Sequence, residues 1–241
     1  MRCRFLACLV SSILVACSGG EEPDADPPGD TRSQWRPDLV CPGDEGCPSN
    51  EGTLYAGASA RDISPPCFEQ WEDVDGNGEW SRTEEAFYDC GCDQLCEGDE
   101  GWPGPDEGES DGEFQAVWLA GFGQSRPANG VHDPIWARTV AFGTGDTAVA
   151  LVSLDLVGWF YDDVTAIRDR AAELGADVDL VIVQSTHQHE GPDTLGQWGQ
   201  RVGKTGVVAS YQAHVVEQAA QSVVDAVTAM VPATLHTAAI D

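Results

Sequence analysis

The stretch Leu180-Val181-Ile182-Val183-Gln184-Ser185-Thr186-His187-Gln188-His189-Glu190-Gly191-Pro192-Asp193 passes from an apolar run into a polar one. A short apolar run over 178–183, interrupted by Asp179, fits a buried strand. Upstream of it, Val157, Phe160, Val164, Ile167, Ala171 and Leu174 recur at steps of three and four, one face of a helix stopped by Gly175. Before that helix, 138–142 and 148–154 read as two strands, with Gly143-Thr144-Gly145-Asp146 as the hairpin signal between them. Downstream, Val208, Tyr211, Val215, Ala219, Val223, Ala226 and Met230 mark a longer helix that Pro232 ends, after which 233–240 returns as a strand. Residues 54–63 read as a first strand broken by Pro65-Pro66, and 117–122 as an apolar segment before a Gly-rich turn. The alternation of strands and helices predicts an α/β fold: a mixed sheet with parallel pairs covered by helices.

In open α/β sheets, ligand sites lie beyond the carboxyl ends of strands, which is where this run turns polar. His187 and His189 are two apart, so in extended backbone they face the same way. Two imidazoles on one face form a natural half-site for zinc. Glu190, Asp193 and Asp155 are the nearby carboxylates that could orient imidazoles, ligate or accept protons. Asp155 ends a second predicted strand, which brings it toward the same rim. His132 and Asp133 read as loop polarity, and His214 as a partly buried residue near the apolar face of the long helix.

The 241 residues include 41 acids against 12 bases, a formal net charge of −29. Lys204 is the single lysine. Such a chain does not bind nucleic acid, because displacing phosphate counterions requires Lys and Arg. It also repels anionic headgroups, so membrane contact has to come from a covalent or greasy element, while divalent cations are its natural partners. The charge is local: residues 69–113 hold 17 acids and one base, Arg82.

Arg2 and Arg4 precede a greasy run over 5–15 that is too short to span a bilayer, and a small residue, Ala16, precedes Cys17. This pattern is expected to be a signal peptide over 1–16. It resembles a bacterial lipobox, which implies lipid on Cys17 as the membrane attachment. Ser18, where inner-membrane lipoproteins carry Asp, implies by the same resemblance an exported lipoprotein of the outer membrane or cell surface. Residues 17–52 lack an apolar period and read as a flexible acidic tether.

With Cys3 and Cys8 in the leader and Cys17 lipidated, Cys41, Cys47, Cys67, Cys90, Cys92 and Cys96 remain. An even number in an oxidising compartment implies disulfides. Cys41 and Cys47 are expected to close a small loop, and Cys67 and Cys90 to be paired with each other or nearby. The spacing of Cys90, Cys92 and Cys96 is not that of a zinc finger. Between the flanking cysteines, residues 73–84 fit the D-x-[DN]-x-[DN]-G-x5-E calcium loop at every defined position. Asp73, Asp75 and Asn77 supply side-chain oxygens, Gly78 the turn, Glu79 its carbonyl, Ser81 a water-mediated contact and Glu84 a bidentate carboxylate. Trp80 takes the hydrophobic position, and an exiting helix is expected after Ser81. Residues 67–113 are therefore read as a disulfide- and calcium-stabilised acidic insert, EF-hand-like in its loop.

The segment Thr186-His187-Gln188-His189-Glu190-Gly191-Pro192 resembles the T-H-x-H-x-G-P signature of the neutral/alkaline ceramidase family. The likeness continues in family order with Tyr55-Ala-Gly-Ala-Ser-Ala-Arg-Asp-Ile-Ser-Pro-Pro, Trp118-Leu-Ala-Gly-Phe-Gly, the stretch from Gly130 to Arg138, and Val152-Ser-Leu-Asp155. It covers residues 53–200. The resemblance implies a zinc-dependent amidase that cleaves an N-acyl bond, as in a sphingolipid-like substrate. His187 would ligate the zinc, and His189 would line the site as a catalytic residue with Glu190 and Asp155. Where the family usually has Thr and Ser, this chain has Gln188 and Glu190. The family's second zinc His, its Glu and Tyr ligands and its C-terminal domain fall beyond the point equivalent to Asp241, so 53–241 is expected to be a partial domain, a fragment or a shortened form. Two readings follow: an exported lipoprotein carrying part of a zinc amidase, or a non-catalytic surface binding module with a calcium-stabilised insert.

Overall fold

Residues 45–46, 52–145 and 147–238 are described by the computed structural model of the protein. The leader, Cys17, nearly all of the tether, and Cys41 with Cys47 lie outside the described residues. The elements are β1 (Tyr55–Asp62), β2 (Trp136–Thr144), β3 (Thr147–Leu154), α1 (Tyr161–Glu173), β4 (Leu180–Ser185), α2 (Ala209–Thr228) and β5 (Val231–Pro232). The sheet order is β4-β3-β2-β1-β5. Only β3 and β4 are parallel, joined through α1; the other neighbours are antiparallel. The mixed α/β sheet expected from the sequence is therefore present, with one parallel pair among the described strands rather than several.

The differences in element boundaries have local causes. Helix α1 begins at Tyr161, not Val157, because the carbonyls of Leu156 and Val157 are taken by His187. Asp162 and Asp163 in its first turn complement the helix dipole. The apolar segment 117–122 stays irregular, making only isolated bridges. These pair Trp118 with Pro127 and Leu119 with Pro192, and proline has no N–H to extend a ladder. The return strand is only Val231–Pro232 against β1. No helix follows Ser81, where a turn takes its place.

Helix α2 packs across β1, β2 and β3, and Val215, Ala219, Val223 and Ala226 are fully buried. Its small residues let the backbone come close to the sheet. Ser59 donates to the Ser222 carbonyl at 2.6 Å, and Arg61 pairs with Asp225 at 2.7 Å. Helix α1 docks on α2 through Arg170 and Glu217 at 2.7 Å. A Cβ on Gly57 would overlap the Ala226 carbonyl oxygen, a backbone atom that cannot swing aside. Gly57→Ala is therefore expected to cost about 3 kcal/mol by lifting α2 from the sheet, measurable by urea denaturation.

The sequence reading of His214 as a partly buried helix residue matches its half-buried place on α2. Desolvation holds its pKa below the ordinary histidine value, opposed by the nearby Asp62 charge. The unfolded chain then binds the proton more readily than the folded one. Stability is expected to be unaffected by this group above its unfolded pKa and to fall as pH drops below it toward the lower folded value. His214→Gln should flatten that part of a stability–pH curve, measured by denaturant midpoints between neutral and mildly acidic pH.

Candidate functional site

Strand β4 ends beside β3, and the ladder closes with the Thr186 N–H on the Leu154 carbonyl at 2.9 Å. The next residue leaves extended geometry. His187 has φ +61°, in the left-handed region, which costs a non-glycine residue roughly 1–2 kcal/mol. The expectation of two imidazoles facing one way in extended backbone is corrected here: the rings meet because the chain turns, not because it stays straight. Two bonds hold the turn. The His187 N–H donates to the Leu156 carbonyl at 3.0 Å, and Nδ1 lies 2.6 Å from the Val157 carbonyl oxygen.

A carbonyl oxygen only accepts, so Nδ1 carries the proton and Nε2 keeps its lone pair. The Nε2 atoms of His187 and His189 are 3.3 Å apart. With His187 Nε2 as the acceptor, His189 Nε2–H is the donor of this contact. Two nitrogens bound to one tetrahedral zinc at about 2.0–2.1 Å would be separated by roughly 3.3–3.4 Å. The pair therefore already has the spacing of one edge of a zinc tetrahedron, with a carbonyl fixing the tautomer as in many metal-bound histidines.

The walls of the site come from two loops. Residues 117–128 form an irregular ribbon, with the Leu119 N–H on the Arg126 carbonyl and the Ala128 N–H on the Val117 carbonyl, both at 2.8 Å. At its tip Gly121 has φ +116°, and a Cβ there would stand 2.6 Å from His189 Cβ. Phe122, 75% exposed, presents its ring 5.6 Å from the His189 ring. Trp198 stands on another side at 6.4 Å. The second loop is tied by Asp193, which is 1% exposed. Its Oδ1 accepts the N–H groups of Leu195 and Gly196, and its Oδ2 those of Trp198 and Gly206, at 2.9–3.1 Å. Asp193 is thus a structural knot rather than a ligand or base. Sequence reasoning missed Phe122 and Trp198 as walls; both stand in Gly-flanked segments, which was the available signal.

The carboxylates expected beside the imidazoles are placed elsewhere. The Asp155 carboxylate accepts from the Trp136 N–H and Arg138. Asp155 reaches the site segment through its backbone carbonyl, which accepts from Gln188 Nε2 at 2.8 Å. Glu190 pairs with Arg126 at 2.9 Å. Gln188 and Glu190 line a cavity of about 430 Å³ with Phe68, Leu119, Ile135 and Pro192, and neither imidazole lines it. His132 and Asp133 pair with each other, almost fully exposed, in accord with loop polarity.

In the insert, Cys67 pairs with Cys92 and Cys90 with Cys96. The direct Cys67–Cys90 bridge is not formed; each flanking cysteine pairs with a nearby one. Many of the acids cap loop backbone instead of standing free. Asp106 accepts from the Cys92 and Asp93 N–H groups, and Asp89 from those of Asp111 and Gly112. Carboxylate oxygens of Asp73, Asp75 and Glu85 lie within 4.8 Å of one another, a group able to hold a metal ion. The calcium pattern put Glu84 in this place. Glu84 is exposed, whereas Glu85 is 8% exposed. The turn after Ser81, with the N–H groups of Glu84 and Glu85 both on the Ser81 carbonyl, brings Glu85 inward. Its carboxylate accepts from the Val74 N–H at 3.1 Å and the Ser81 N–H at 2.9 Å.

No family model matches the sequence. No curated protein matches it either. Among solved structures, the neutral ceramidase from Pseudomonas aeruginosa is similar with a TM-score of 0.46 and 15% identity, over 76% of this chain and 22% of that one. A ceramidase complexed with C2 is similar with a TM-score of 0.38 and 14% identity, over the same shares. The chain spans about a fifth of the length of these proteins.

Proposed function

We propose that the protein is a zinc-dependent amide hydrolase of the ceramidase-like kind, acting on an N-acyl bond, and carried to the outer membrane or cell surface by lipid on Cys17. The observation that carries the chemistry is the 3.3 Å spacing of the His187 and His189 Nε2 atoms with the His187 tautomer fixed by Val157. Both imidazoles would hold the zinc. A bound zinc ion polarises an acyl carbonyl and lowers the pKa of its water. The protein's own part is to hold the two Nε2 atoms at this spacing, His189 carrying its proton on Nδ1 when its Nε2 ligates, and to flank His189 with the Phe122 and Trp198 rings. These rings suit the apolar body of an N-acyl or sphingolipid-like substrate. For the acidic loop we propose calcium, held by Asp73, Asp75 and Glu85, with Asn77, Glu79 and Ser81 in the roles the loop pattern gives them.

One observation favours the second reading, a non-catalytic binding module. Among the described residues, the only group of three or more His, Cys, Asp or Glu donors is Asp73, Asp75 and Glu85, so no third donor of these types joins the imidazoles. Zinc binding and hydrolysis of an N-acyl amide by the full chain, both lost in His187→Ala, would support the enzyme. Zinc binding without hydrolysis would support the module.

A further inference from the structure

Ser125 ties Trp80, within the acidic loop, to Gly199, which follows Trp198 beside the imidazole pair. Ser125, at φ +62°, makes three bonds. Its N–H donates to the Gly199 carbonyl at 2.8 Å and its carbonyl accepts from the Trp80 N–H at 2.6 Å. Its Oγ donates to the Trp80 carbonyl at 2.5 Å. Holding an uncommon backbone geometry for a doubly bonded contact to a residue 45 positions away marks Ser125 as a deliberate joint.

On the loop side, Trp80 is buried and packs on Phe114 and Trp118. Its neighbour Ser81 is bound through its N–H to Glu85, the residue whose carboxylate also faces Asp73 and Asp75. On the site side, Phe122 lies three positions before Ser125 and edges the His189 ring. Gln124 bonds the Gln197 carbonyl at 2.8 Å and the Gly199 N–H at 3.1 Å, the residues on either side of Trp198. Gln124 and Ser125 thus hold the backbone on either side of Trp198, while Phe122 stands on the same ribbon.

We propose that Ser125 is a positioning residue that transmits the state of the 73–85 loop to His189, so that calcium in the loop is felt at the imidazole pair. The proposal rests on the calcium reading above. Three carboxylates drawn this close repel one another. A divalent ion relieves that repulsion and draws on Glu85, whose bond to the Ser81 N–H passes the shift to the Trp80 backbone that Ser125 grips. The coupling is reciprocal: calcium raises affinity for zinc at the pair by the factor by which zinc raises affinity for calcium.

The test uses the full chain and CaCl₂. Calorimetry follows calcium binding, and proton NMR follows the His189 Hε1 resonance and the Phe122–His189 ring contact. Ser125→Gly keeps the positive φ without strain and deletes only the Oγ bond. In the wild type, the His189 signal is expected to move with the midpoint of the calcium titration. In Ser125→Gly, calcium should still bind while the His189 response weakens, because only the backbone bonds of residue 125 remain, and the calcium-dependent gain in zinc affinity, about tenfold in the wild type, should shrink. Calcium binding that leaves His189 unmoved in the wild type overturns the proposal and leaves the calcium reading intact. An equal His189 response in wild type and Ser125→Gly overturns the role given to the Ser125 hydroxyl. Absence of calcium binding overturns both, and calorimetry alone identifies that case. The wild-type titration decides the matter even if the variant fails to fold.

Discussion

Asp193→Ala is expected to lose about 4 kcal/mol of stability. The side chain is essentially inaccessible and satisfies four backbone N–H groups across residues 195–206. Each bond to a charged acceptor contributes about 1.5–3 kcal/mol, and each buried donor left alone costs about 1–3 kcal/mol. The loop escapes part of that loss by opening to water, which is why the expected figure is well below the sum. Opening it also releases Trp198 from His189. Asp193→Asn keeps the shape but turns an NH₂ group toward N–H donors, so it should be destabilising in the same direction. Urea denaturation of the two variants against the wild type measures this. A loss under 1 kcal/mol in both would contradict the assigned role.

Calcium is expected to raise the stability of the wild type by about 2.7 kcal/mol at a concentration a hundredfold above its dissociation constant. Loops of this kind outside the cell bind at about 10⁻⁴–10⁻³ M, so the full gain needs about 10–100 mM CaCl₂. Glu85→Gln should abolish most of the gain, because it removes the charge that faces Asp73 and Asp75. Glu84→Gln, on an exposed side chain, should leave the gain nearly whole. Thermal melts with and without CaCl₂ compare the two. The reverse ranking would mean that the twelfth position of the loop pattern rules and that the turn after Ser81 rearranges around the ion.

The fold was legible where periodicity is strong. The apolar spacing of α2, the hairpin between β2 and β3 and the β3–α1–β4 unit all follow from it. It failed where backbone partners decide. Nothing in the spacing of Val157 shows that its carbonyl serves His187 and so delays α1. The prolines that deny residues 117–122 a ladder are Pro127 and Pro192, of which the second lies more than seventy positions away in sequence. The imidazole pair was legible as a motif, because H-x-H at the polar end of an apolar strand is a local signal; the strand itself is not buried as its apolar run suggested, since β4 lies at the sheet edge with Leu180 and Ile182 exposed. Its carboxylate partners were not, because the destinations of Asp155, Glu190 and Asp193 depend on Arg138, Arg126 and a loop of N–H donors that only the folded chain assembles. The acidic excess was legible as a total. That so much of it caps loop backbone was not.

In the proposed enzyme, His187 and His189 together hold zinc. Zinc X-ray absorption on the full chain tests it most directly, with metal content measured on the same sample. The expected result is one zinc per chain with two imidazole nitrogens at about 2.0–2.1 Å, lost in both His187→Ala and His189→Ala. A chain that takes up no zinc, or that keeps its zinc with unchanged coordination in His187→Ala, would contradict the account.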